Sequence, residues 1–267
     1  MISAPEKICR RLIDLSWKEI TVGYSGAKLF RISGGHVCYY LKHMASEIEK
    51  SLTHEAEVMI WLAGKLPVPE VVEYVTDETG EYLLMTEIPG KSFAELIDSD
   101  PEWLAEAYAE SLLKIHGLSI KNCPFNESND VKLNRALVYC DNGLVKPEYF
   151  REDRQGMSIK DIRTRLIKTN SFQEDFVFTH GDYCFPNVIL NGNQLSGYVD
   201  WSSAGVADRY QDISIGERSI KYNLHKLKKL HTDEVSLAVD VFRKTYGIKN
   251  AEIEKIEFYQ LLDDFFR

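Results

Sequence analysis

The segment Thr179-His180-Gly181-Asp182-Tyr183-Cys184-Phe185-Pro186-Asn187, followed by Tyr198-Val199-Asp200, spaces three polar side chains in a telling way. A carboxylate stands at 182, an amide five residues later at 187, and a second carboxylate at 200. Between the last two lie a short apolar strand, Val188-Ile189-Leu190, and a turn, Asn191-Gly192-Asn193. Phosphoryl transfer needs such a set: one carboxylate to orient the attacking hydroxyl, and an amide with a carboxylate to hold Mg²⁺ against nucleotide phosphates. The bland alternative is a turn between strands that happens to carry acids.

The elements that must carry these groups follow from periodicity. Residues 6–15 form a short helical pattern, and alternating strand patterns cover 17–22, 27–32 and 37–42. Their turns hold Gly23-Tyr24-Ser25-Gly26 and Ser33-Gly34-Gly35, the turn chemistry of a β-meander. Residues 48–66 read as a helix closed by Gly64 and Pro67, and 70–75 and 82–86 read as two more strands. Pro89-Gly90-Lys91 reads as a hinge. Helical patterns dominate afterwards, at 93–97, 101–118, 159–168, 208–230, 233–246 and 253–266. The pattern predicts an α+β fold with a five-stranded antiparallel lobe and one main helix in residues 1–90. A larger, mostly helical lobe fills residues 91–267. Residues 121–157 carry the least regular pattern and read as a lid, a substrate loop or a plain surface loop.

Four more features fit a nucleotide at this site. The glycine turn 23–26 offers backbone amides to phosphates. Lys42 ends a strand from which a lysine reaches the α- and β-phosphates, and Glu55 on the following helix is placed to pair with it. The run Leu83-Leu84-Met85-Thr86-Glu87-Ile88 leads into the hinge, where the Thr86 carbonyl and the Ile88 amide can read an adenine edge. A buried edge strand would show the same pattern. Finally, Gly205-Val206-Ala207-Asp208-Arg209-Tyr210-Gln211-Asp212 opens a helix with acids at its N-terminus, and Asp212 is placed to accept hydrogen bonds from the main chain around residue 182.

The bulk numbers narrow the partners. The chain has 267 residues, 27% charged and 44% hydrophobic, with a net charge of −9. An acidic chain argues against nucleic acid, which wants a basic face. It suits a cationic small substrate, although solubility alone also explains acidity. The five cysteines, at 9, 38, 123, 140 and 184, show no C-x-x-C pair. No apolar run approaches the roughly 20 residues that span a bilayer. A cytoplasmic, reduced protein is expected, monomeric or weakly dimeric and bound to no membrane.

The catalytic segment has the spacing of the protein-kinase motif H-R-D-x-x-x-x-N, with Gly181 in place of the arginine and Asp200-Trp201-Ser202 in place of D-F-G. With residues 61–69, Val199-Asp200, Gly205 to Asp212 and Arg218-Ser219-Ile220, it resembles the aminoglycoside 3′-phosphotransferases, protein-kinase-like antibiotic kinases. The resemblance spans nearly the whole chain and implies a bilobal kinase-like fold using ATP and Mg²⁺. It implies Asp182 as catalytic base and Asn187 and Asp200 as metal ligands. Lys42, Glu55, Tyr40, Ser25, Thr86 and Ile88 would bind nucleotide, with Tyr40 stacked on adenine and Ser25 over the phosphates. His180 would brace the loop. Asp263 and Asp264, with the chain's end beside them, and Glu148 would face substrate ammonium groups, and Arg218 would also bind substrate. Three departures touch the anionic pocket: Ser203 replaces an expected arginine, Arg151 stands where an acid is common, and Arg267 follows Phe266. Other readings are a same-fold kinase for a macrolide, choline, homoserine or a sugar amine, or a non-catalytic nucleotide-binding regulator. A protein kinase is disfavoured because no D-F-G is present and no A-P-E segment follows Asp200.

Overall fold

The computed structural model describes residues 4–21, 26–46, 51–151, 154–248 and 252–266. In chain order the elements are α1 (Glu6–Cys9), β1 (Ser16–Ile20), β2 (Lys28–Gly34), β3 (Val37–Ala45), α2 (Thr53–Leu62), β4 (Val71–Asp77) and β5 (Gly80–Thr86). Then come β6 (Lys91–Ser92), α3 (Pro101–His116), α4 (Asn129–Asp141), α5 (Ile159–Thr169), β7 (Phe176–Thr179), β8 (Val188–Asn191) and β9 (Gln194–Tyr198). The chain ends with β10 (Gly205–Asp208), α6 (Tyr210–Lys221), α7 (Thr232–Tyr246) and α8 (Ile253–Asp263). They form two compact units, residues 1–90 with 189–202, and residues 91–188 with 203–267. Segment 189–202, grouped from sequence with 91–267, thus belongs to the first unit.

The first unit is built on an antiparallel sheet in the order β1-β2-β3-β5-β4. Alternation along each strand sorts its two faces. Phe30, Ile32, Leu41, Tyr82 and Leu84 pack with Ile8 and Leu12 in one apolar cluster. Arg31, Tyr40 and Lys42 alternate with those residues and so stand on the opposite face. Register pairs Arg31 with Tyr40 and Lys42 with Leu83. Glycine is required at Gly197 of β9, where a Cβ would lie 2.6 Å from Pro67 O and 3.0 Å from Ile88 Cγ2.

The second unit surrounds the β7–β10 pair, in which Thr179 lies opposite Gly205. Helix α3 starts at Pro101 behind an Asp100 cap whose carboxylate accepts from Trp103 N at 2.9 Å. Helix α6 is buried almost all round, and an aromatic core of Phe93, Tyr108, Phe185 and Phe242 packs beside it. Two expectations change here. Residues 93–98 are turns, not a helix; Ser92 accepts the amides of Glu95 and Leu96, and its own amide is taken by Glu95 Oε2, which closes one turn and no more. The irregular stretch 121–157 contains α4. Its buried face is Asn129, Lys132 and Ala136, helically spaced but largely polar, so no apolar stripe announces it. Among the described residues no helix is long and apolar enough to cross a membrane.

Candidate active site

Strand β3 and helix α2 set the first group of side chains. Lys42 Nζ lies 2.6 Å from Glu55 Oε1 and 3.0 Å from Asp200 Oδ1. Glu55 is 1% exposed, so burial pushes its carboxyl up, against the pull of Lys42 and of the Trp201 main-chain amide. Burial alone would push the Lys42 ammonium down, but Glu55 and Asp200 outweigh it and raise it. The lysine is therefore a fixed cation with its head on two carboxylates. Asp200 is 40% exposed at its side chain and has φ of +66°, a strained conformation for a non-glycine residue. The buried Trp201 indole, donating to Tyr198 O at 3.4 Å, anchors the turn that holds it there.

Tyr40 stands two residues before Lys42 on the same face, half-buried, with its phenol raised by burial. Next to it, Arg31 Nε and Nη2 both donate to Glu87 Oε1, at 3.3 and 3.2 Å. The Cys38 thiol is pushed up to about 11, first by burial and then by its bond to Glu87. Thr86 is tied on both sides to Glu70: its amide donates to Glu70 O at 3.0 Å, and its hydroxyl accepts from Glu70 N at 2.9 Å. Ile88 packs on Gly197. Ser25 lies outside the described residues.

The second unit holds the loop between β7 and β8. Asp212, fully buried at the start of α6, accepts from the amides of His180 at 2.6 Å and Gly181 at 2.8 Å. Burial works to raise this carboxyl, but His116, His180 and the amide bonds together lower it, so it is held as an anion. The loop carbonyl and side chain of Asp182 both accept from Asn187 Nδ2, at 2.9 and 3.1 Å. Both amide hydrogens of Asn187 are thereby directed at Asp182, so its Oδ1 is the atom that could serve a cation. His180 is fully buried and its Nδ1 accepts from Asp182 N at 3.3 Å, a bracing role. Gly181 has φ of +81° and passes so close to Ser203 that a Cβ would lie 1.9 Å from its carbonyl oxygen. The arginine of the kinase motif has no room here. Phe185 N donates to Ser219 Oγ at 2.9 Å, and Tyr183 OH donates to Tyr108 O at 2.6 Å, which fix the far side of the loop.

The residues expected to meet a cationic substrate are placed unequally. Glu148 is exposed on a short turn of 3₁₀ helix, Pro147–Tyr149. Asp263 forms an ion pair with Arg218, each about one-fifth exposed. Asp264 is 1% exposed and accepts from Arg154 Nε at 2.6 Å, and Arg154 is itself buried. Asp264 is thus held inside the protein by Arg154. Burial of a carboxylate demands a partner charge, and Arg154 supplies it. Arg154, His116 and the Trp201 amide were not foreseen, because nothing in local spacing reports which distant groups meet. Among the described residues no cluster of three or more His, Cys, Asp or Glu side chains could hold a metal.

Residues 16–216 match the phosphotransferase enzyme family. An aminoglycoside 3′-phosphotransferase of Niallia circulans is 34% identical, over 98% of this chain and 97% of its own. One of Escherichia coli is 32% identical, over 96% and 92%. Among solved structures, an aminoglycoside-3′-phosphotransferase of type VIII superposes with a TM-score of 0.84 at 28% identity, covering 97% of this chain and 96% of that one. A Streptomyces rimosus aminoglycoside phosphotransferase in complex with ADP and streptomycin shares the fold, with a TM-score of 0.81 at 22% identity and coverage of 97% and 95%.

Proposed function

Because this chain belongs to the phosphotransferase enzyme family, we propose that Asp182 receives the proton of an acceptor hydroxyl while the γ-phosphoryl group of ATP passes to that oxygen. The enzyme is an ATP-dependent phosphotransferase acting on an aminoglycoside, with the 3′-hydroxyl as acceptor, as in its relatives. One observation carries the assignment. Asp182 is fixed from two sides, by Asn187 Nδ2 on its carboxylate and by the Asp212-bound amides of residues 180 and 181 on its main chain. A carboxylate so held has little reorganisation left to make as the hydroxyl attacks.

Lys42 supplies the fixed positive charge for the α- and β-phosphates, and Glu55 keeps its ammonium in place. Asn187 Oδ1 and the Asp200 carboxylate are the oxygen donors suited to Mg²⁺. That cation prefers oxygen and keeps one or two protein ligands beside phosphates and water, and an amide oxygen with a carboxylate suits it. Held there, Mg²⁺ would offset the negative charge of the nucleotide phosphates. Tyr40 offers its ring to the adenine, and the Thr86–Ile88 main chain its edge contacts. On the acceptor side, Glu148 and Asp263 are the carboxylates for ammonium groups, Arg218 setting the orientation of Asp263. The net charge of −9 favours approach of a polycation.

Replacing Asp182 with Asn should lower kcat by about 10²–10⁴-fold while ATP binding persists. Aminoglycoside-dependent ADP release is the assay, run with acceptors that have and lack a 3′-hydroxyl. Near-normal turnover by the Asn variant would remove Asp182 from the chemistry. Equal turnover of both acceptor classes would remove the 3′ assignment.

A further inference from the structure

Behind the catalytic loop, a line of hydrogen bonds runs from Asp212 out to the surface through residues the phosphoryl transfer does not itself use. His116, the last residue of α3, has Nε2 3.1 Å from Asp212 Oδ2, and its Nδ1 lies 2.6 Å from the hydroxyl of Tyr246, the last residue of α7. Arg209 Nη1 donates to that hydroxyl oxygen at 3.2 Å. Arg209 Nε lies 2.6 Å from Asp175 Oδ2 at the rim of a cleft of about 360 Å³.

The directions of these bonds are fixed by chemistry. A carboxylate only accepts, so Nε2 of His116 carries the hydrogen given to Asp212. In the tautomer with its one hydrogen on Nε2, the ring accepts at Nδ1 and the Tyr246 hydroxyl donates to it. The phenol keeps its proton, because burial pushes it up to about 12. The hydroxyl oxygen in turn accepts from Arg209. Every donor points the same way, toward Asp212, an arrangement in which each bond polarises the next. Without the tyrosine, the imidazole could turn or exchange its two nitrogens. Asp212 would then lose its side-chain partner on the oxygen that also takes the His180 amide.

We propose that Tyr246 is a positioning residue for phosphoryl transfer: its hydroxyl locks the tautomer and ring orientation of His116, so that Asp212 holds the main chain of residues 180–181 and presents Asp182 to the acceptor. Arg209 sets the direction of that hydroxyl from the surface side. The inference rests on Asp182 being the base.

The test is Tyr246→Phe, which removes one oxygen from a ring edge. It should lower kcat by about three- to tenfold, a rise in the barrier of up to about 1.36 kcal/mol. KM for ATP and for the aminoglycoside should stay within twofold, and Tm should fall by only a few degrees. Arg209→Met should lower kcat in the same sense by a smaller factor. In a His116→Gln background the Tyr246→Phe change should add little, because the link it acts through is already cut. A kcat within twofold of the parent overturns the proposal. So does a loss of kcat matched by equal changes in both KM values, or full additivity in the His116→Gln background. Asp182→Asn, measured alongside, separates the two failures. If it retains turnover, the base assignment fails; if it is dead while Tyr246→Phe is normal, only the positioning role fails.

Discussion

Gly181→Ala puts one methyl group where the chain has no space for it. Its Cβ would lie 1.9 Å from Ser203 O and 2.8 Å from Ser203 Cβ, against a floor of 3.0 Å for real contacts. Main chain must therefore yield by about 1 Å, since stiff backbone atoms cannot rotate aside. The left-handed conformation adds about 1–2 kcal/mol for any residue with a Cβ. The shift also stretches the amide bonds of His180 and Gly181 to Asp212, now 2.6 and 2.8 Å. Bonds of this kind to a charged acceptor contribute about 1.5–3 kcal/mol each. Asp182 is the next residue, and a 1 Å displacement of a reacting group lowers rate by about 10²-fold. Expected, then, is a kcat about 100-fold down with Tm lowered by about 5–10 °C, on the scale of 2–4 °C per kcal/mol for a chain of this size. Turnover is measured by ADP release at 25 °C, where the variant remains folded, and Tm by thermal melting. Gly35→Ala is the control: its φ is also positive, at +60°, but nothing lies within 4 Å of its added Cβ, so turnover should be unchanged. A Gly181→Ala enzyme with kcat within threefold of the parent, or one whose loss only tracks its unfolded fraction, would refute the reasoning.

Three further predictions address the other groups. Glu55→Gln leaves Asp200, 3.0 Å away, as the charged partner of the Lys42 ammonium and should raise KM for ATP about tenfold, the scale of one charge-assisted bond; an unchanged KM would count against the lysine's placement. Lys132 is buried beside Glu127, 3.8 Å away, and burial pushes its ammonium down to about 8. The unfolded chain binds this proton up to higher pH than the folded one, so stability should rise between pH 8 and 10.5, by up to about 3 kcal/mol. Urea unfolding of wild type and Lys132→Met at pH 8 and 10 isolates that slope, and parallel pH responses would contradict it. Arg154→Met takes the guanidinium away from the buried Asp264 carboxylate and should destabilise by about 3–5 kcal/mol, whereas Arg154→Met with Asp264→Leu should recover most of it; a double variant no better than the single would show the pair is not the cause.

The chain order of the chemistry was readable from its own letters. Asp182 and Asn187 lie five residues apart around one loop, and a pair so near in sequence meets whatever the rest of the fold does. The Lys42–Glu55 pair was also legible, because a strand that ends in lysine and a helix that follows it leave few alternative placements. Asp212 was singled out from its position at a helix start, and its carboxylate does take two loop amides. Less legible was α4, whose inward face is Asn129, Lys132 and Ala136, and the residue 93–98 turn, whose apolar spacing mimicked a helix.

What local pattern determined is therefore the five strands of the first sheet, most of the helices and the candidates for handling a phosphoryl transfer. Periodicity and short-range spacing are properties of neighbours along the chain, so they survive in the sequence. What only the tertiary structure decided is which charge each acid meets. Asp264, expected to face an ammonium, is paired with Arg154 110 residues away; segment 189–202 groups with residues 1–90; Asp212 is tied to His116, and His116 to Tyr246, 130 residues from it. Those partnerships form because burying a charge or a polar atom is costly until another chain segment satisfies it, and that segment is chosen by the packing of the whole fold.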